Sequence, residues 1–182
     1  MPTVPALEFL PARRSDLAEI VRIYNSTVAS RQVTADLEPV SVESRQAWFD
    51  AHQEDRRHPL WLIRSASGEL LGWMSLSAFY GRPAYGATAE ISVYLDEAAR
   101  GRGVGRGAVE FAIATAPRLG IKTLLGFIFA HNAPSMRLFE SLGFGQWALL
   151  PDVAELDGVE RSLAILGLRL DARDQTNPEG SA

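Results

Sequence analysis

Residues 88–107 read TAEISVYLDEAARGRGVGRG, and this segment carries the strongest structural pattern in the chain. Apolar and polar side chains alternate from Thr88 to Leu95, which predicts a β-strand with one buried face. Four glycines then occupy alternate positions from Gly101 to Gly107. Apolar residues follow at helical spacing and predict a helix from Gly103 to Ala116. The centre of the predicted fold is therefore a strand, a glycine-rich turn and a helix.

The glycine-rich turn has the properties of an anion site. Glycine allows tight turns and close approach of the backbone to a ligand, and amides at a helix N-terminus point toward an anion. Three arginines add positive charge, so a diphosphate is the expected ligand; the alternative is a solvated basic turn. A Walker A motif is absent. A dinucleotide site is disfavoured because no acidic residue ends the next strand, at 129–132. The arginines are Arg100, Arg102 and Arg106.

The remaining sequence predicts an α/β fold. The expected order is strand, two helices, three strands, helix, strand, helix and two strands, with the last two strands at 144–150 and 162–170. This order predicts a mixed sheet with helices on both faces. We expect one domain over residues 1–170 and a disordered tail over 171–182, where the sequence is polar and lacks periodicity.

Composition excludes several classes of function. The chain has 182 residues, a net charge of −4 and no cysteine, which excludes disulfides and a cysteine nucleophile. The acidic balance disfavours nucleic acid as a partner, and no apolar stretch is long enough to predict a membrane span. The N-terminal residues do not resemble a signal peptide, so we expect a cytoplasmic protein. The histidines lack metal-ligand spacing, so no metal is expected; they are His52, His58 and His131.

Two segments together resemble the GNAT N-acetyltransferase superfamily. Arg100-x-x-Gly103-x-Gly105 after a strand is similar to its acyl-CoA pyrophosphate loop. Asn132-x-x-Ser135, followed by Leu142-Gly143-Phe144, is similar to its Asn-x-x-Ser…Leu-Gly-Phe segment. The phosphinothricin and methionine sulfoximine acetyltransferase branch is closer still. Its features occur here as Ile23-Tyr24-Asn25, Trp48-Phe49, Arg82-Pro83-Ala84-Tyr85 and Glu90-x-Ser92-Val93-Tyr94.

The resemblance spans roughly residues 7–170 and implies a mostly antiparallel, twisted sheet, acetyl-CoA as cosubstrate and a homodimer. Main-chain groups of Val93 and Leu95 would pair with the pantetheine arm like an added strand. An amide near Val93 to Leu95, with Tyr94 between them, would polarise the thioester carbonyl. Asn132 and Ser135 would bond further along the arm, the alternatives being a helix cap and an exposed serine. The pyrophosphate would be held by backbone amides of Gly101, Arg102, Gly103, Val104, Gly105 and Arg106.

Glu90 is the candidate general base, acting directly or through water. Strand alternation places Glu90, Ser92 and Tyr94 on one face. A carboxylate in such an apolar strand is costly unless it has a partner or a function, so the alternative is an ion pair with an arginine. The superfamily often supplies a tyrosine as general acid in the last helix, where this chain has Phe139. The proton donor is therefore open among Tyr85, Tyr94, water and the substrate ammonium.

The branch resemblance also implies how the acceptor would bind. Arg82 would clamp a carboxylate, with Tyr85 beside it; a surface arginine is the alternative. The expected acceptor is a small amino acid of the phosphinothricin, methionine sulfoximine or methionine sulfone type, which implies amino-acid detoxification. Two alternatives stay open: another amine, such as a polyamine or a protein N-terminus, and a non-catalytic acyl-CoA-binding module.

Overall fold

One mixed sheet of seven strands organises the computed structural model, which describes residues 6–170. Its spatial order is β1-β2-β3-β4-β5-β7-β6. Neighbouring strands are antiparallel except for β4 and β5, which are parallel. The strands are β1 Leu7–Pro11, β2 Leu60–Ser65, β3 Leu70–Ala78, β4 Thr88–Leu95, β5 Thr123–Phe129, β6 Gly145–Leu156 and β7 Val159–Arg169. The helices are α1 Leu17–Val28, α2 Gln46–Glu54, α3 Val104–Thr115 and α4 Ala133–Glu140.

Helices cover both faces of the sheet, as predicted. Leu60 and Leu62 of β2 belong to a buried cluster with residues of α1 and α2. Trp61 and Ile63 point to the opposite face and pack in a second cluster with residues of α3 and α4. The predicted order of strands and helices is confirmed. Within residues 6–170, no helix is both long and apolar enough to cross a membrane.

The parallel strands β4 and β5 separate soon after they meet. Only three residue pairs join them, from Thr88↔Thr123 to Glu90↔Leu125, although β4 has eight residues and β5 has seven. Beyond Glu90, the edge of β4 that faces β5 is therefore unpaired. The result is an opening between the C-terminal halves of the two strands, which we call the β4–β5 gap. It lies at the carboxyl ends of parallel strands, where α/β folds commonly bind ligands.

The last hairpin is longer than predicted. Strand β6 continues through Pro151 to Leu156, and β7 begins at Val159. Register shifts next to Gln146 and between Leu150 and Ala154 accommodate residues that would otherwise interrupt the pairing. The turn at Asp157 and Gly158 has positive φ at both residues, 53° and 77°, a geometry that Asp-Gly sequences favour. This Asp-Gly pair was a sequence signal for the longer hairpin.

Candidate active site

The loop between β4 and α3 presents a continuous row of free backbone donors. No amide from residue 101 to residue 106 donates a backbone hydrogen bond, and the first that does is Gly107, to the Gly103 carbonyl at 3.1 Å. Gly103 forms the N-cap of α3, so the helix begins one residue later than predicted. We call residues 100–106 the glycine loop. Its unpaired amides and the helix dipole suit a bound anion.

The glycines of this segment have different roles. Gly101 and Gly103 have φ values of 71° and 81°, in the left-handed region that side chains disfavour. Gly107 packs closely against β1, because a Cβ there would lie 2.5 Å from Cδ1 of Leu7 and that side chain would have to shift. Thus Gly101 and Gly103 shape the loop, whereas Gly107 fits α3 against β1.

The arginine side chains around the loop are partly engaged within the protein. The Arg106 guanidinium donates to Glu110 at 3.1 Å and to Ser141 Oγ at 2.9 Å. Arg100 and Arg102 make only long contacts, of 3.4 and 3.5 Å, to main-chain carbonyls. The positive charge of Arg106 is therefore largely compensated, and its backbone amide is the group that remains available to a ligand.

Asn132 and Ser135 lie across the β4–β5 gap from the glycine loop, where β5 leads into α4. Asn132 is buried and caps α4: its Oδ1 accepts from the Ser135 amide at 3.2 Å. Its Nδ2 donates to the Gln32 carbonyl at 3.1 Å. Asn132 thus caps the helix, which was the alternative to cofactor binding in the sequence prediction. One N–H of its Nδ2 and one lone pair of its Oδ1 remain available to a ligand. Within the described residues, the Ser135 hydroxyl has no hydrogen-bond partner, so it is the freer of the two.

Glu90 occupies the point where β4 and β5 separate. Its side chain is partly buried and makes no hydrogen bond or ion pair with any described residue. Burial raises the pKa of this carboxyl above its ordinary value. The alternative was a structural carboxylate paired with an arginine. Within residues 6–170, no arginine pairs with Glu90. A desolvated carboxyl with a raised pKa is better suited to take a proton near neutral pH than an exposed one.

A cavity of about 140 Å³ opens beside Glu90, between the sheet and the helices α1 and α2. Strand register brings its polar wall together: Ser77 lies opposite Glu90, and Ser75 lies opposite Ser92. Arg45 is the cation in this lining. The lining residues are Ile20, Val21, Tyr24, Val40, Arg45, Trp48, Trp73, Ser75, Ser77, Ser92 and Tyr94.

The tyrosines and Arg82 occupy different environments. Tyr94 packs against Trp73 with ring centroids 4.5 Å apart, and burial raises the pKa of its hydroxyl. Tyr94 therefore stays neutral and is a weaker acid than a free tyrosine. Arg82 and Tyr85 are exposed on the loop before β4 and do not line the cavity. The structure thus brings Glu90, Ser92 and Tyr94 together and leaves the two predicted acceptor residues outside.

The segment between α1 and α2, residues 29–41, borders the cavity through Val40 and was not predicted from the sequence. Asn25 holds it through two 2.9 Å hydrogen bonds to the main chain of Val40. The Tyr24 hydroxyl donates to Asp36, which also pairs with Arg45 at 2.8 Å. The polar residues of this segment gave no periodic pattern. The adjacent Tyr24-Asn25 pair was the available sequence signal, because two polar side chains at the end of α1 can hold a neighbouring segment by hydrogen bonds.

The described elements define a class of protein, an acyltransferase that uses a thioester of coenzyme A. The free edge of β4 suits an extended arm that carries amides, and the glycine loop suits a diphosphate. The unpaired carboxyl at the end of the gap suits an amine nucleophile.

Comparisons with known proteins identify the family. A protein-family model described as "Acetyltransferase (GNAT) domain" matches residues 6–145 of the chain. The chain is 52% identical over 159 residues to "Putative phosphinothricin acetyltransferase YwnH" of Bacillus subtilis (strain 168), covering 87% of this chain and 96% of the relative. It is 32% identical over 157 residues to an L-methionine sulfoximine/L-methionine sulfone acetyltransferase of Pseudomonas paraeruginosa, covering 86% and 91%.

A solved structure gives the same result. The crystal structure of a GNAT superfamily phosphinothricin acetyltransferase from Sinorhizobium meliloti, in complex with AcCoA, superposes with a TM-score of 0.85 at 26% identity. The match covers 98% of this chain and 95% of that one. The chain belongs to the GNAT acetyltransferase family. The predicted superfamily, fold class, enzyme class and acetyl donor are confirmed: it is an acetyl-CoA-dependent N-acetyltransferase.

Proposed function

We propose that this enzyme acetylates the α-amino group of a small amino acid, with Glu90 as the general base. The observation that carries this proposal is the unpaired, partly buried carboxyl of Glu90 at the end of the β4–β5 gap. Relatives of this chain are named for phosphinothricin and for methionine sulfoximine or sulfone. These acceptors are amino acids, which fits an amine presented to Glu90 from the cavity side.

The proposed chemistry follows from the positions of the groups. Acetyl-CoA supplies the acetyl group as an activated thioester. The acceptor nitrogen bonds to the acetyl carbon, the carbon–sulfur bond breaks, and Glu90 takes the proton that the nitrogen loses. An amide near Val93 to Leu95 stabilises the negative charge that develops on the carbonyl oxygen. The raised pKa of Tyr94 makes it a poor source of the proton for the thiolate. The protonated Glu90 carboxyl returns that proton instead.

The cofactor residues are proposed in the same way as the general base. The free amides of Gly101, Arg102, Gly103, Val104, Gly105 and Arg106 support a pyrophosphate site in the glycine loop. The unpaired edge of β4 supports pantetheine binding by Val93, Tyr94 and Leu95. The free Ser135 hydroxyl supports a contact further along the arm, and the remaining N–H of Asn132 can add a second.

A panel of amines tests the acceptor class. The enzyme and acetyl-CoA are incubated with amino acids, their methyl esters, polyamines and a peptide with a free N-terminus, and release of free thiol is followed. We expect release with amino acids above all. Equal or greater turnover of a polyamine would refute the proposal. Tight acetyl-CoA binding without turnover of any amine would favour the non-catalytic alternative.

Arg82→Ala should raise KM for the amino-acid acceptor by about 10-fold and leave KM for acetyl-CoA unchanged. The guanidinium is exposed on the loop before β4 and would form a charge-assisted contact with the carboxylate. Steady-state kinetics with both substrates measure the effect, and the methyl ester of the same acceptor should show no change on mutation. Arg13→Ala, which removes another exposed arginine outside this loop, is the control. An unchanged acceptor KM in Arg82→Ala would place the clamp elsewhere.

A homodimer is proposed from the surface of the last hairpin. Its outer strand carries several apolar side chains that are largely exposed, including Trp147 at 52% and Val153 at 58%. Exposed apolar side chains grouped on one edge strand favour a protein contact. Val153→Glu should convert a dimer to a monomer in light scattering coupled to size exclusion. Leu10→Glu, at a 43% exposed position on the opposite edge strand, should not. A monomeric wild-type protein would refute the dimer.

Two further assignments remain proposals. Residues 1–170 would form one acetyltransferase domain, which the single sheet over the described residues supports. A cytoplasmic location, without nucleic acid or membrane as partner, fits an enzyme whose donor is acetyl-CoA.

A further inference from the structure

His58 is a buried titratable residue that the proposed chemistry does not use. It lies just before β2 and is 8% exposed. Its Nδ1 contacts Oδ2 of Asp55 at 2.6 Å. Its Nε2 is also buried and makes no hydrogen bond with any described residue. A buried polar atom without a partner destabilises a fold, so the free Nε2 indicates a function.

The contact with Asp55 determines which nitrogen of His58 can take a proton. Partial burial acts to raise the pKa of the Asp55 carboxyl, but hydrogen bonds from His58 and from the Arg57 amide outweigh it and lower that pKa. Asp55 is therefore ionised and accepts the Nδ1 proton of His58. In the neutral ring the lone pair then lies on Nε2. Such an imidazole gains a proton at Nε2, and the carboxylate stabilises the resulting imidazolium.

Strand pairing places His58 in a row with Glu90. The pairing of β2 with β3 continues past the start of β2, because the Leu76 amide donates to the Pro59 carbonyl at 3.0 Å. The next residue of β3 is Ser77, and the next position on the opposite side is that of His58. Ser77 also lies opposite Glu90 of β4 and lines the cavity. Since opposed residues have Cβ atoms about 5 Å apart, the Ser77 hydroxyl lies between the imidazole and the carboxyl.

The other titratable groups around His58 leave room for a positive charge. His52 of α2 contacts the His58 carbonyl through Nδ1 at 2.6 Å, and burial lowers the pKa of His52, so that ring is neutral near pH 7. The Arg57 guanidinium donates to the Gly86 carbonyl at 3.1 Å. The carboxylate of Asp55 is thus the charge in direct contact with the His58 ring.

The reaction produces a proton in excess, which Glu90 alone cannot hold. An amino acid reaches the enzyme near neutral pH as an ammonium ion. One N–H bond must break before the nitrogen can attack, and a second breaks as the bond to the acetyl carbon forms. The thiolate of coenzyme A takes back one of these protons. One carboxylate holds one proton at a time, so the other proton needs a second acceptor.

We infer that His58, supported by Asp55, is this second acceptor. The first proton of the ammonium moves to Glu90, and the Ser77 hydroxyl accepts it as its own proton passes to Nε2 of His58. Glu90 is then ionised again, takes the second proton during attack and returns it to the thiolate. The imidazolium keeps the first proton until the products leave, and Nε2 releases it to water that enters the cavity. This inference rests on the proposed role of Glu90 and adds the group on which that role depends.

His58→Gln should lower kcat at pH 7 by about 10-fold, a smaller loss than the roughly 10²- to 10⁴-fold expected for the base itself. The loss should shrink as the pH rises, because an acceptor that is already a free amine has no first proton to lose. Asp55→Asn should show the same pH dependence with a smaller loss. Asp50→Asn is the matched control and should be silent, since Asp50 is 47% exposed against 48% for Asp55 and pairs with the distant Arg14.

Chemical rescue separates proton transfer from a structural role. His58→Ala leaves space at the buried position, so imidazole in the buffer should restore part of kcat at pH 7, in proportion to its concentration. Pyrazole has the same shape and is a much weaker base, so it should not restore the rate. Calorimetric titration of acetyl-CoA reports whether each variant is folded. Wild-type kcat in His58→Gln at pH 7, an equal loss at every pH, or equal rescue by pyrazole would each overturn the inference.

The choice of acceptor distinguishes failure of the inference from failure of the proposed function. Every acceptor that arrives as an ammonium ion releases the excess proton. If a polyamine is turned over and amino acids are not, the proposed acceptor is wrong, and the same variants are tested with the polyamine. Amino-acid turnover that does not depend on His58 would leave the proposed function standing and overturn the inference. Turnover of no amine would overturn both.

Discussion

Glu90→Gln should lower kcat at pH 7 by about 10²- to 10⁴-fold, with little change in the affinity for acetyl-CoA. The carboxyl lies at the end of the β4–β5 gap and has no partner among the described residues, so its loss removes a proton acceptor and leaves the glycine loop intact. Steady-state thiol release measures kcat, and calorimetric titration measures acetyl-CoA binding. Glu8→Gln, which changes an exposed glutamate of β1, is the matched control and should be silent.

The pH dependence distinguishes a base from other roles. Much of the lost rate should return at high pH, where the free amine is already neutral and needs no base. A Glu90→Gln variant with wild-type turnover at pH 7 would refute the assignment. The acceptor would then have to arrive deprotonated or lose its proton directly to water.

Thermal melting provides an independent control for this variant. Burial raises the pKa of Glu90 in the folded protein, so ionising it there destabilises the fold relative to the unfolded chain. This loss of stability is absent below the pKa that Glu90 has in the unfolded chain. It grows as the pH rises toward the pKa in the folded protein and is constant above that value. A glutamine side chain stays neutral, so Glu90→Gln removes this destabilisation. Glu90→Gln should therefore melt at a higher temperature than wild type at pH 8 and at nearly the same temperature at pH 4. A lower melting temperature at pH 8 would indicate a structural carboxylate.

The sequence was most informative where a local pattern determines local structure. The alternation of Thr88 to Leu95 predicted the bounds of β4 without error, because one face of that strand is buried and the pattern has period two. The glycine loop was also predictable, since its glycines and the helix behind it are adjacent in the chain. The α3 boundary differed by one residue because Gly103 caps the helix in a left-handed conformation.

The cavity could not be predicted in the same way, because it depends on contacts between distant segments. Ser75 faces Ser92 only through the register of β3 and β4, and Arg45 reaches the cavity only because Asp36 and Tyr24 hold it. The alternation of Trp73, Ser75 and Ser77 between apolar residues was a usable signal. It identified polar positions on one face of a strand, although the cavity that they line forms only in the assembled sheet.

The same contrast applies to the proposed roles of Asn132 and Arg82. Asn132 was predicted as a cofactor ligand from its motif, and its bonds to Ser135 and Gln32 show a structural role that a motif cannot exclude. Arg82 was predicted from its neighbours in sequence, yet it lies on an exposed loop outside the cavity lining. The proposed clamp role of Arg82 therefore requires an acceptor that extends out of the cavity toward the exposed loop.

Gly103→Val should weaken acetyl-CoA binding by about 100-fold, which corresponds to about 2.7 kcal/mol, or one or two charge-assisted hydrogen bonds to the pyrophosphate. Gly103 has φ of 81° and caps α3, so a branched side chain would shift the row of free amides and obstruct approach of the ligand. Calorimetric titration of acetyl-CoA measures the loss.

Backbone strain alone must be separated from loss of the ligand site. Valine in a left-handed conformation destabilises a fold by about 1–3 kcal/mol wherever it occurs. Gly68 has φ of 85° in the turn between β2 and β3, with open space around the position of a Cβ, so Gly68→Val introduces comparable strain away from the loop. Both variants should melt at lower temperature, and only Gly103→Val should lose acetyl-CoA affinity. A folded Gly103→Val protein with wild-type affinity would show that the pyrophosphate binds elsewhere, and the free amides of residues 101–106 would then need another ligand.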